Sequence, residues 1–260
     1  MSKKHLTYLL IILLLSYFTN VFAQKLIEVG IDEKLGNFLP LESTFKSSDN
    51  VQIQLQDIVN KPVLLALVYY ECPGICSPML NELTWTIDKI QLEPGEDFKI
   101  ITISFDPKEG PETAAKWKQN YLSTLKRKID KDDWYFLTGD SVNIRKVTDA
   151  IGFYYKKSSD DQYIHAGSII AISPDGKISR YLFGTSFNPF DVKMALFDAK
   201  AGKSSPTISK VLQFCFSYDP EGRQYTLNIT RIVGSIMLLG VGIFFAVVML
   251  KKKKSNVEKE

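Results

Sequence analysis

Apolar residues along this chain fall into two kinds of segment: short continuous runs, and stretches in which they recur every three or four positions. Continuous runs are typical of strands buried on both faces, and the wider spacing is typical of helices that pack on a sheet. The runs predict strands over 63–70, 98–105, 134–137, 164–172 and 178–183, with a half-buried, alternating strand over 51–58. The spacing predicts helices over 78–92, 112–125, 143–151 and 189–201. The lead-in over 25–50 is predicted to be irregular, and residues 174–177 to form a hairpin turn.

The order of these elements predicts an α/β fold. Strands and helices alternate up to residue 151, and a hairpin and a last helix follow. We therefore expect a central mixed sheet with parallel βαβ units, flanked by helices, in the thioredoxin-like architecture. Residues 24–205 are enough for one domain with a substantial core, and no internal repeat divides them.

The amino-terminal segment 1–23 has the three parts of a secretory signal peptide. Lys3 and Lys4 precede a short apolar run, and small residues before Gln24 offer a cleavage site. We expect cleavage there and export of the domain. An uncleaved membrane anchor is the alternative.

The carboxyl-terminal part predicts a second membrane element. Residues 232–250 carry no charge over 19 positions and are followed by four lysines, 251–254. By the positive-inside rule, the tail 251–260 is cytoplasmic and the domain lies on the outer face, joined through a juxtamembrane segment, 206–231. This predicts a single-pass protein of a bacterial inner membrane with its domain in the periplasm. An organelle membrane and a buried core helix are the alternatives.

The charge of the chain belongs mainly to its ends. The net charge is +3, from 32 basic and 29 acidic residues, but residues 24–250 hold 25 basic and 27 acidic residues. The body therefore offers no basic footprint for nucleic acid, and we expect no such partner.

The candidate chemistry begins with two cysteines. Cys72 and Cys76 follow the apolar run 63–70 and lead into a predicted helix. A helix amino terminus stabilises thiolates, the form of cysteine that binds metals and attacks disulfides. In an exported protein, a structural disulfide is the plain alternative.

His165 adds an imidazole to this pair. It is the only histidine outside the predicted signal peptide, and it lies at the end of a predicted strand. Two thiolates and one imidazole suit Cu(I), or Cu(II) with a further ligand. Structural zinc would need a fourth ligand, and Cys215 lies beyond the domain. A packed core histidine is the alternative for His165. For Cys215, the alternatives are a free thiol, an intermolecular link or a small buried residue.

Five stretches in register over about 50–200 resemble the SCO/SenC family of membrane-anchored copper chaperones for cytochrome c oxidase assembly. They are Tyr-Tyr-Glu-Cys-Pro-Gly-Ile-Cys (69–76), Thr-Ile-Ser-Phe-Asp-Pro-Lys-Glu (102–109), Phe-Leu-Thr-Gly (136–139), Ile-His-Ala-Gly-Ser (164–168) and Pro-Asp-Gly-Lys (174–177). The resemblance implies that Cys72, Cys76 and His165 are copper ligands, and that Asp106 lies near the site. A strand-end cap beside Pro107 is the other interpretation of Asp106.

The resemblance also implies partners. Family members deliver copper to the CuA centre of oxidase subunit II. We therefore expect that subunit or another copper protein as the partner, with a thioredoxin-like reductant as a further candidate. This chain departs from the family pattern at Ser77, where proline is usual, and at Ile164, where aspartate is common. The second change removes a partner for the imidazole, for which Asp160 or Asp161 are candidate substitutes. The carboxyl-terminal anchor also differs from the amino-terminal anchor of most members.

Three functional hypotheses therefore stay open at this point. The first is a copper metallochaperone that binds one copper between the two cysteines and the histidine. The second is a thiol–disulfide oxidoreductase that acts on cysteines of a periplasmic client, and this alternative leaves open whether the chain is an enzyme. The third is a structural disulfide in an adhesion or sensor domain.

Overall fold

The computed structural model describes residues 29–158 and 162–205, two short strands at 216–219 and 224–227, and the single positions 233, 237 and 240. The predicted signal peptide, Asp160, Asp161, Cys215, most of the predicted membrane helix and the tail lie outside the described residues. Within the part of the chain that is described, no helix combines the length and the apolar character needed to cross a membrane.

A mixed β-sheet lies at the centre of the domain. The described strands are β1 (Gly30–Ile31), β2 (Thr44–Ser47), β3 (Gln52–Gln54), β4 (Val63–Val68), β5 (Lys99–Ser104), β6 (Trp134–Thr138), β7 (Phe153–Tyr154), β8 (Lys156–Lys157), β9 (Tyr163–Ile164), β10 (Ser168–Ile172), β11 (Ile178–Phe183), β12 (Phe216–Asp219) and β13 (Gln224–Leu227). Seven of them form the sheet in the order β11-β10-β4-β5-β6-β2-β3. Strands β4, β5 and β6 are parallel, and the other neighbours pair antiparallel. This is the predicted thioredoxin-like arrangement.

Five helices complete the described domain: α1 (Leu55–Ile58), α2 (Cys76–Lys89), α3 (Pro111–Thr124), α4 (Ser141–Ala150) and α5 (Pro189–Lys200). The four predicted helices are confirmed, and local signals in the sequence mark the starts of α3, α4 and α5. Asp140 accepts the backbone N–H groups of Val142 and Asn143 at the start of α4. Pro111 and Pro189 occupy the first turns of α3 and α5, where a missing N–H costs nothing.

The prediction of one strand over 51–58 was wrong, because the chain turns into a helix after Gln54. Strand β3 covers only Gln52–Gln54, and α1 follows at once. Gln54 and Asp57 form a capping box, in which each side chain bonds to the other's backbone. Leu55 and Ile58, three positions apart, are both buried on one face of this turn.

Two further predictions were wrong at strand boundaries. The lead-in 25–50 contains β2, a central-sheet strand whose sequence Thr-Phe-Lys-Ser carries only one apolar residue, Phe45. The predicted strand 164–172 is broken into β9 and β10, with His165 in the loop between them. An apolar run alone does not reveal such a break, since Ile164 and Ala166 continue the pattern while the backbone leaves the ladder.

The parallel strands set the location of the site. Every residue of β4 is buried, and β5 is buried from Ile100 onward. Because β4 and β5 run in the same direction, the loops after Val68 and Ser104 leave the same edge of the sheet. Strand β10 pairs antiparallel with β4, so its amino-terminal end arrives at that edge too. Carboxyl ends of parallel strands are a common location for binding sites in open α/β sheets.

Candidate metal centre

Cys72 lies within the loop that joins β4 to α2, and Cys76 lies at the end of that loop. Cys72 follows the strand by four residues and is half-buried, whereas Cys76 is the first residue of the helix and is fully buried. Helix α2 therefore begins two residues before Pro78, which occupies its first turn, where proline is tolerated. Both thiols are free.

The pairing of β10 with β4 brings His165 to the cysteines. Ile169 lies opposite Ala66 in this ladder, so the residues before β10 extend past the end of β4. The Nε2 atom of His165 lies 3.5 Å from the Sγ atom of Cys76. The ligand atoms of Cys72, Cys76 and His165 all lie within 4.8 Å of one another. The structure thus assembles the three residues that the sequence singled out.

A backbone contact orients the imidazole. The Nδ1 atom of His165 lies 3.0 Å from the carbonyl oxygen of Ala166. A carbonyl can only accept, so Nδ1 carries a proton, and Nε2 is the ring nitrogen that faces the sulfurs. Ala166 therefore supplies the kind of partner that an acidic residue at position 164 would provide. Sequence reasoning missed it, because every residue carries a backbone carbonyl.

Aromatic rings enclose the imidazole on the protein side. The ring centroids of Phe105, Tyr69 and Phe153 lie 5.0, 5.7 and 6.0 Å from that of His165. Phe105 and Tyr69 meet it edge-on, in the geometry that aromatic pairs prefer. The enclosure limits rotation of the imidazole and excludes water from that side.

The Tyr69 hydroxyl connects this aromatic cluster to the cysteine loop. Burial, together with a hydrogen bond to Cys72, raises the pKa of Tyr69 to about 12. A hydrogen bond from the backbone N–H of Tyr163 acts in the opposite direction. The hydroxyl therefore stays protonated and donates a hydrogen bond to the Cys72 sulfur. One side chain touches both Cys72 and the ring of His165.

The cysteine pair shares one proton. The hydrogen bond from Cys76 lowers the pKa of Cys72 to about 3, and His165 and two backbone N–H groups act in the same direction against burial. The same bond, followed by burial, raises the pKa of the Cys76 thiol. At neutral pH the pair is a Cys72 thiolate that accepts a hydrogen bond from the Cys76 thiol. Cys72 is thus both the more exposed and the more nucleophilic sulfur.

The donor set suits a soft, low-coordinate metal ion. Two sulfurs and one imidazole nitrogen face one another. Thiolate and imidazole donors favour Cu(I) over hard cations such as Mg²⁺ or Ca²⁺. Three protein ligands match a trigonal Cu(I) site, while tetrahedral structural zinc would require a fourth.

Asp106 lies beside the site in a capping role. Its carboxylate accepts the backbone N–H of Lys108 at 2.9 Å, within the loop after β5. It also lines a cavity of about 390 Å³, together with Tyr69, Pro73 and Glu109. Of the two interpretations of Asp106, this geometry favours the strand-end cap. The residue lies at the rim of a cavity next to the cysteine loop.

Glu109 is a site residue that sequence reasoning missed. Its carboxylate accepts the backbone N–H groups of Tyr70 and Glu71, each at 2.7 Å, and the hydroxyl of Ser104. Burial raises the pKa of Glu109, although these hydrogen bonds act in the opposite direction. Its position in the stretch 102–109 was the only signal, and the sequence does not show that its side chain turns back toward β4.

Several solved structures share the fold of this domain. A protein from Aquifex aeolicus VF5, described as a candidate electron-transfer protein, is 29% identical, with a TM-score of 0.59 over 65% of this chain and 95% of that one. BsSco, a member of the Sco family of cytochrome c oxidase assembly proteins with an identified disulfide switch, is 25% identical, with a TM-score of 0.50 over 66% and 96%. Copper-bound ScoI of Arabidopsis thaliana, at 19% identity and a TM-score of 0.52 over 64% and 99%, shares the fold.

Sequence relatives lead to the same family. The SCO1 homolog of Bacillus subtilis strain 168 is 28% identical over 152 residues, which cover 57% of this chain and 75% of that protein. The mitochondrial SCO2 homolog of Bos taurus is 29% identical over 126 residues, and the match spans 46% of this chain but only 44% of that protein. The SCO1/SenC family model matches residues 40–196. The chain therefore belongs to the SCO1/SenC family.

Proposed function

We propose that this protein is a copper metallochaperone that binds one Cu(I) through Cys72, Cys76 and His165 and passes it to a partner during cytochrome c oxidase assembly. The observation that carries the proposal is the convergence of the three ligand atoms within 4.8 Å, with the histidine nitrogen directed inward. Copper is the cargo of this site. The copper-bound A. thaliana ScoI gives independent support for copper as the metal of this fold.

The differing exposure of the ligands gives the transfer a direction. Cys76 is buried in the first turn of α2, while Cys72 is half-buried in the loop. A three-coordinate ion leaves room for an incoming thiolate or imidazole of the partner, which approaches on the Cys72 side. Ligands can then be exchanged one at a time, so copper is never released to water.

The client and the location belong to the same proposal. Subunit II of the oxidase, with its CuA centre, is the proposed recipient, supported by the assembly role given for BsSco. We further propose that residues 1–23 direct export, that 24–205 form the copper domain, and that 206–231 connect it to an anchor at 232–250 with a cytoplasmic tail at 251–260. Such an anchor would hold the domain beside a membrane-bound client and raise its effective concentration.

Thiol–disulfide exchange is a second candidate function, favoured by the low pKa of the accessible Cys72 thiol. In this reaction the Cys72 thiolate attacks a client disulfide and one client thiolate leaves. Cys76 loses its proton and attacks the mixed disulfide, which yields a Cys72–Cys76 disulfide and a second client thiolate. A thioredoxin-like reductant would restore the two thiols. The disulfide switch identified in BsSco supports this chemistry in a relative.

Copper binding by the full-length protein in detergent, reduced and loaded with Cu(I) without oxygen, tests the proposal. We expect one copper per chain, lost or greatly weakened in Cys72→Ser, Cys76→Ser and His165→Ala. Cys215→Ser, a cysteine change outside the proposed ligand set, is the matched control and should bind as wild type. Failure of the reduced, folded wild type to bind copper would refute the chaperone function.

His165→Ala separates the two functions. Loss of copper with unchanged exchange against a model disulfide favours the chaperone. Retained copper binding in this variant would contradict the ligand assignment. If wild type binds no copper but still exchanges with the model disulfide, the oxidoreductase function is favoured.

A further inference from the structure

A carboxylate holds the backbone at the point where the chain leaves the sheet for the cysteine loop. Glu109 accepts the consecutive N–H groups of Tyr70 and Glu71, one on each carboxylate oxygen, at 2.7 Å. These residues lie directly before Cys72 and after the last ladder position of β4, Val68. Two successive amides that point at one anion form a strong, charge-assisted contact.

The loop after β5 is shaped to present this carboxylate. Asp106 caps it through the N–H of Lys108, and the N–H of Glu109 bonds to the Asp106 carbonyl at 3.2 Å. The Ser104 hydroxyl donates to the same Glu109 oxygen that accepts the Tyr70 amide. Glu109 is therefore fixed both by its own turn and by the end of β5.

Glu109 acts on Cys72 through the backbone, because Glu71, whose N–H it accepts, directly precedes Cys72. The N–H of Cys72 bonds to the carbonyl of Tyr69 at 3.3 Å, so the turn 69–72 is closed on one side by that bond and on the other by Glu109. Without the carboxylate, the amides of Tyr70 and Glu71 lose the acceptor that fixes their direction. Cys76 depends less on this contact, because helix α2 holds it.

We propose that Glu109 is a positioning residue of the metal centre, which sets the location of the Cys72 sulfur relative to Cys76 and His165 by clamping the two amides before it. The expected effect on copper affinity rests on the proposed copper-binding function. The clamp itself, the two hydrogen bonds to Glu109, is present in the copper-free protein. Groups that orient metal ligands typically change metal affinity by about 10- to 100-fold when they are removed.

The test compares Glu109→Ala, Glu109→Gln and Glu112→Ala in the full-length protein. Glu112 is an exposed carboxylate in the first turn of α3, three residues away, and controls for the loss of one negative charge. We expect Cu(I) affinity to fall at least about tenfold in Glu109→Ala and less in Glu109→Gln, which keeps one oxygen acceptor. After separate loading with Cu(II), the thiolate-to-Cu(II) absorption band should also shift in both variants, whereas Glu112→Ala should match wild type in both measurements.

Amide exchange in the reduced, copper-free protein tests the clamp separately. We expect the N–H groups of Tyr70 and Glu71 to exchange at least about tenfold faster in Glu109→Ala, with helix α2 unchanged. Unchanged exchange at both amides would overturn the clamp, whether or not wild type binds copper. Faster exchange with wild-type copper affinity and spectrum would overturn the positioning role. If Glu109→Ala does not fold, the same measurements on Glu109→Gln decide both points.

Discussion

The Nε2 atom of His165 lies 3.5 Å from the sulfur of Cys76, although 89 residues separate the two in the chain. The antiparallel pairing of β10 with β4 creates this contact, because it returns the chain to the edge from which the cysteine loop departs. Cys76 is held by a helix and His165 by a carbonyl contact and aromatic rings. Cys72 lies in the loop, where Glu109 holds the two amides that precede it.

Copper binding should depend on pH through the proton of Cys76. The pKa of Cys72 is lowered to about 3, so this sulfur is already a thiolate near neutral pH, while the pKa of Cys76 is raised. Binding therefore displaces about one proton, and the Cu(I) affinity should rise about tenfold per pH unit between roughly pH 6 and 8. Competition titrations with a chelator of known pH behaviour measure this slope.

Cys76→Ser provides the control for that assignment. It removes the thiol that carries the proton, so the remaining binding should be weak and nearly independent of pH over the same range. A pH-independent affinity in wild type would contradict the shared-proton description of the pair.

The hydroxyl of Tyr69 should tune the reactivity of Cys72. Because this hydroxyl donates to the Cys72 sulfur, its loss in Tyr69→Phe destabilises the thiolate and raises the pKa of Cys72. The pH dependence of Cys72 alkylation by iodoacetamide should therefore move to higher pH. Tyr155→Phe is the matched control, since its hydroxyl donates to the Phe105 carbonyl instead. The same alkylation profile in Tyr69→Phe and wild type would show that the hydroxyl bond is unimportant.

The sequence singled out the three residues that the structure brings together because of their chemistry and their place in the chain. Cysteine and histidine are scarce in this chain, and Cys72, Cys76 and His165 each adjoin a strongly apolar run. The apolar runs also predicted the parallel strands, because strands that are apolar on both faces are typical of parallel sheets covered by helices. The helices followed from their spacing and from residues such as Asp140 and Pro111, whose capping chemistry is local.

The remaining parts of the site depend on contacts that residue type does not encode. The Ala166 carbonyl orients His165, and such a group is present at every position of the chain. Glu109 reaches backward across the edge of the sheet, which depends on the turn that Asp106 caps. Strand β2 joins the sheet through backbone pairing with β6, although three of its four residues are polar.

The ion pair between Arg180 and Asp198 should contribute strongly to stability. It connects β11 to α5, and the two side chains are only 15% and 17% exposed. Removal of the carboxylate in Asp198→Ala leaves a largely buried guanidinium without its charge partner, at a cost of about 3 kcal/mol in the free energy of unfolding. Urea denaturation of wild type and variant measures this difference.

An exposed pair gives the comparison for that prediction. Asp149 and Arg145 are more than half exposed and four residues apart on α4, so Asp149→Ala should cost less than about 0.5 kcal/mol. Equal effects of the two alanine substitutions would show that burial does not strengthen the Arg180 pair.

Gly152 should be required both for stability and for the environment of His165. Its φ angle is +66°, and a Cβ atom there would lie 2.0 Å from the carbonyl oxygen of Asp32. The same junction includes a hydrogen bond from the Asp32 N–H to the Gly152 carbonyl at 2.9 Å, and it precedes Phe153, whose ring packs near His165. Gly152→Ala must therefore displace the lead-in or Phe153, and it should lower the free energy of unfolding by about 3 kcal/mol together with the copper affinity.

Gly202→Ala separates backbone strain from this collision. Gly202 has a φ angle of +63°, but a Cβ atom added there would meet no other atom within 4 Å, so the cost should be only about 1 kcal/mol, with copper binding unchanged. Thermal or urea unfolding, combined with a Cu(I) competition titration, measures both quantities for each variant. If Gly152→Ala cost no more than Gly202→Ala, the close approach of Asp32 would not be restrictive, and the packing of Phe153 on His165 would not depend on this glycine.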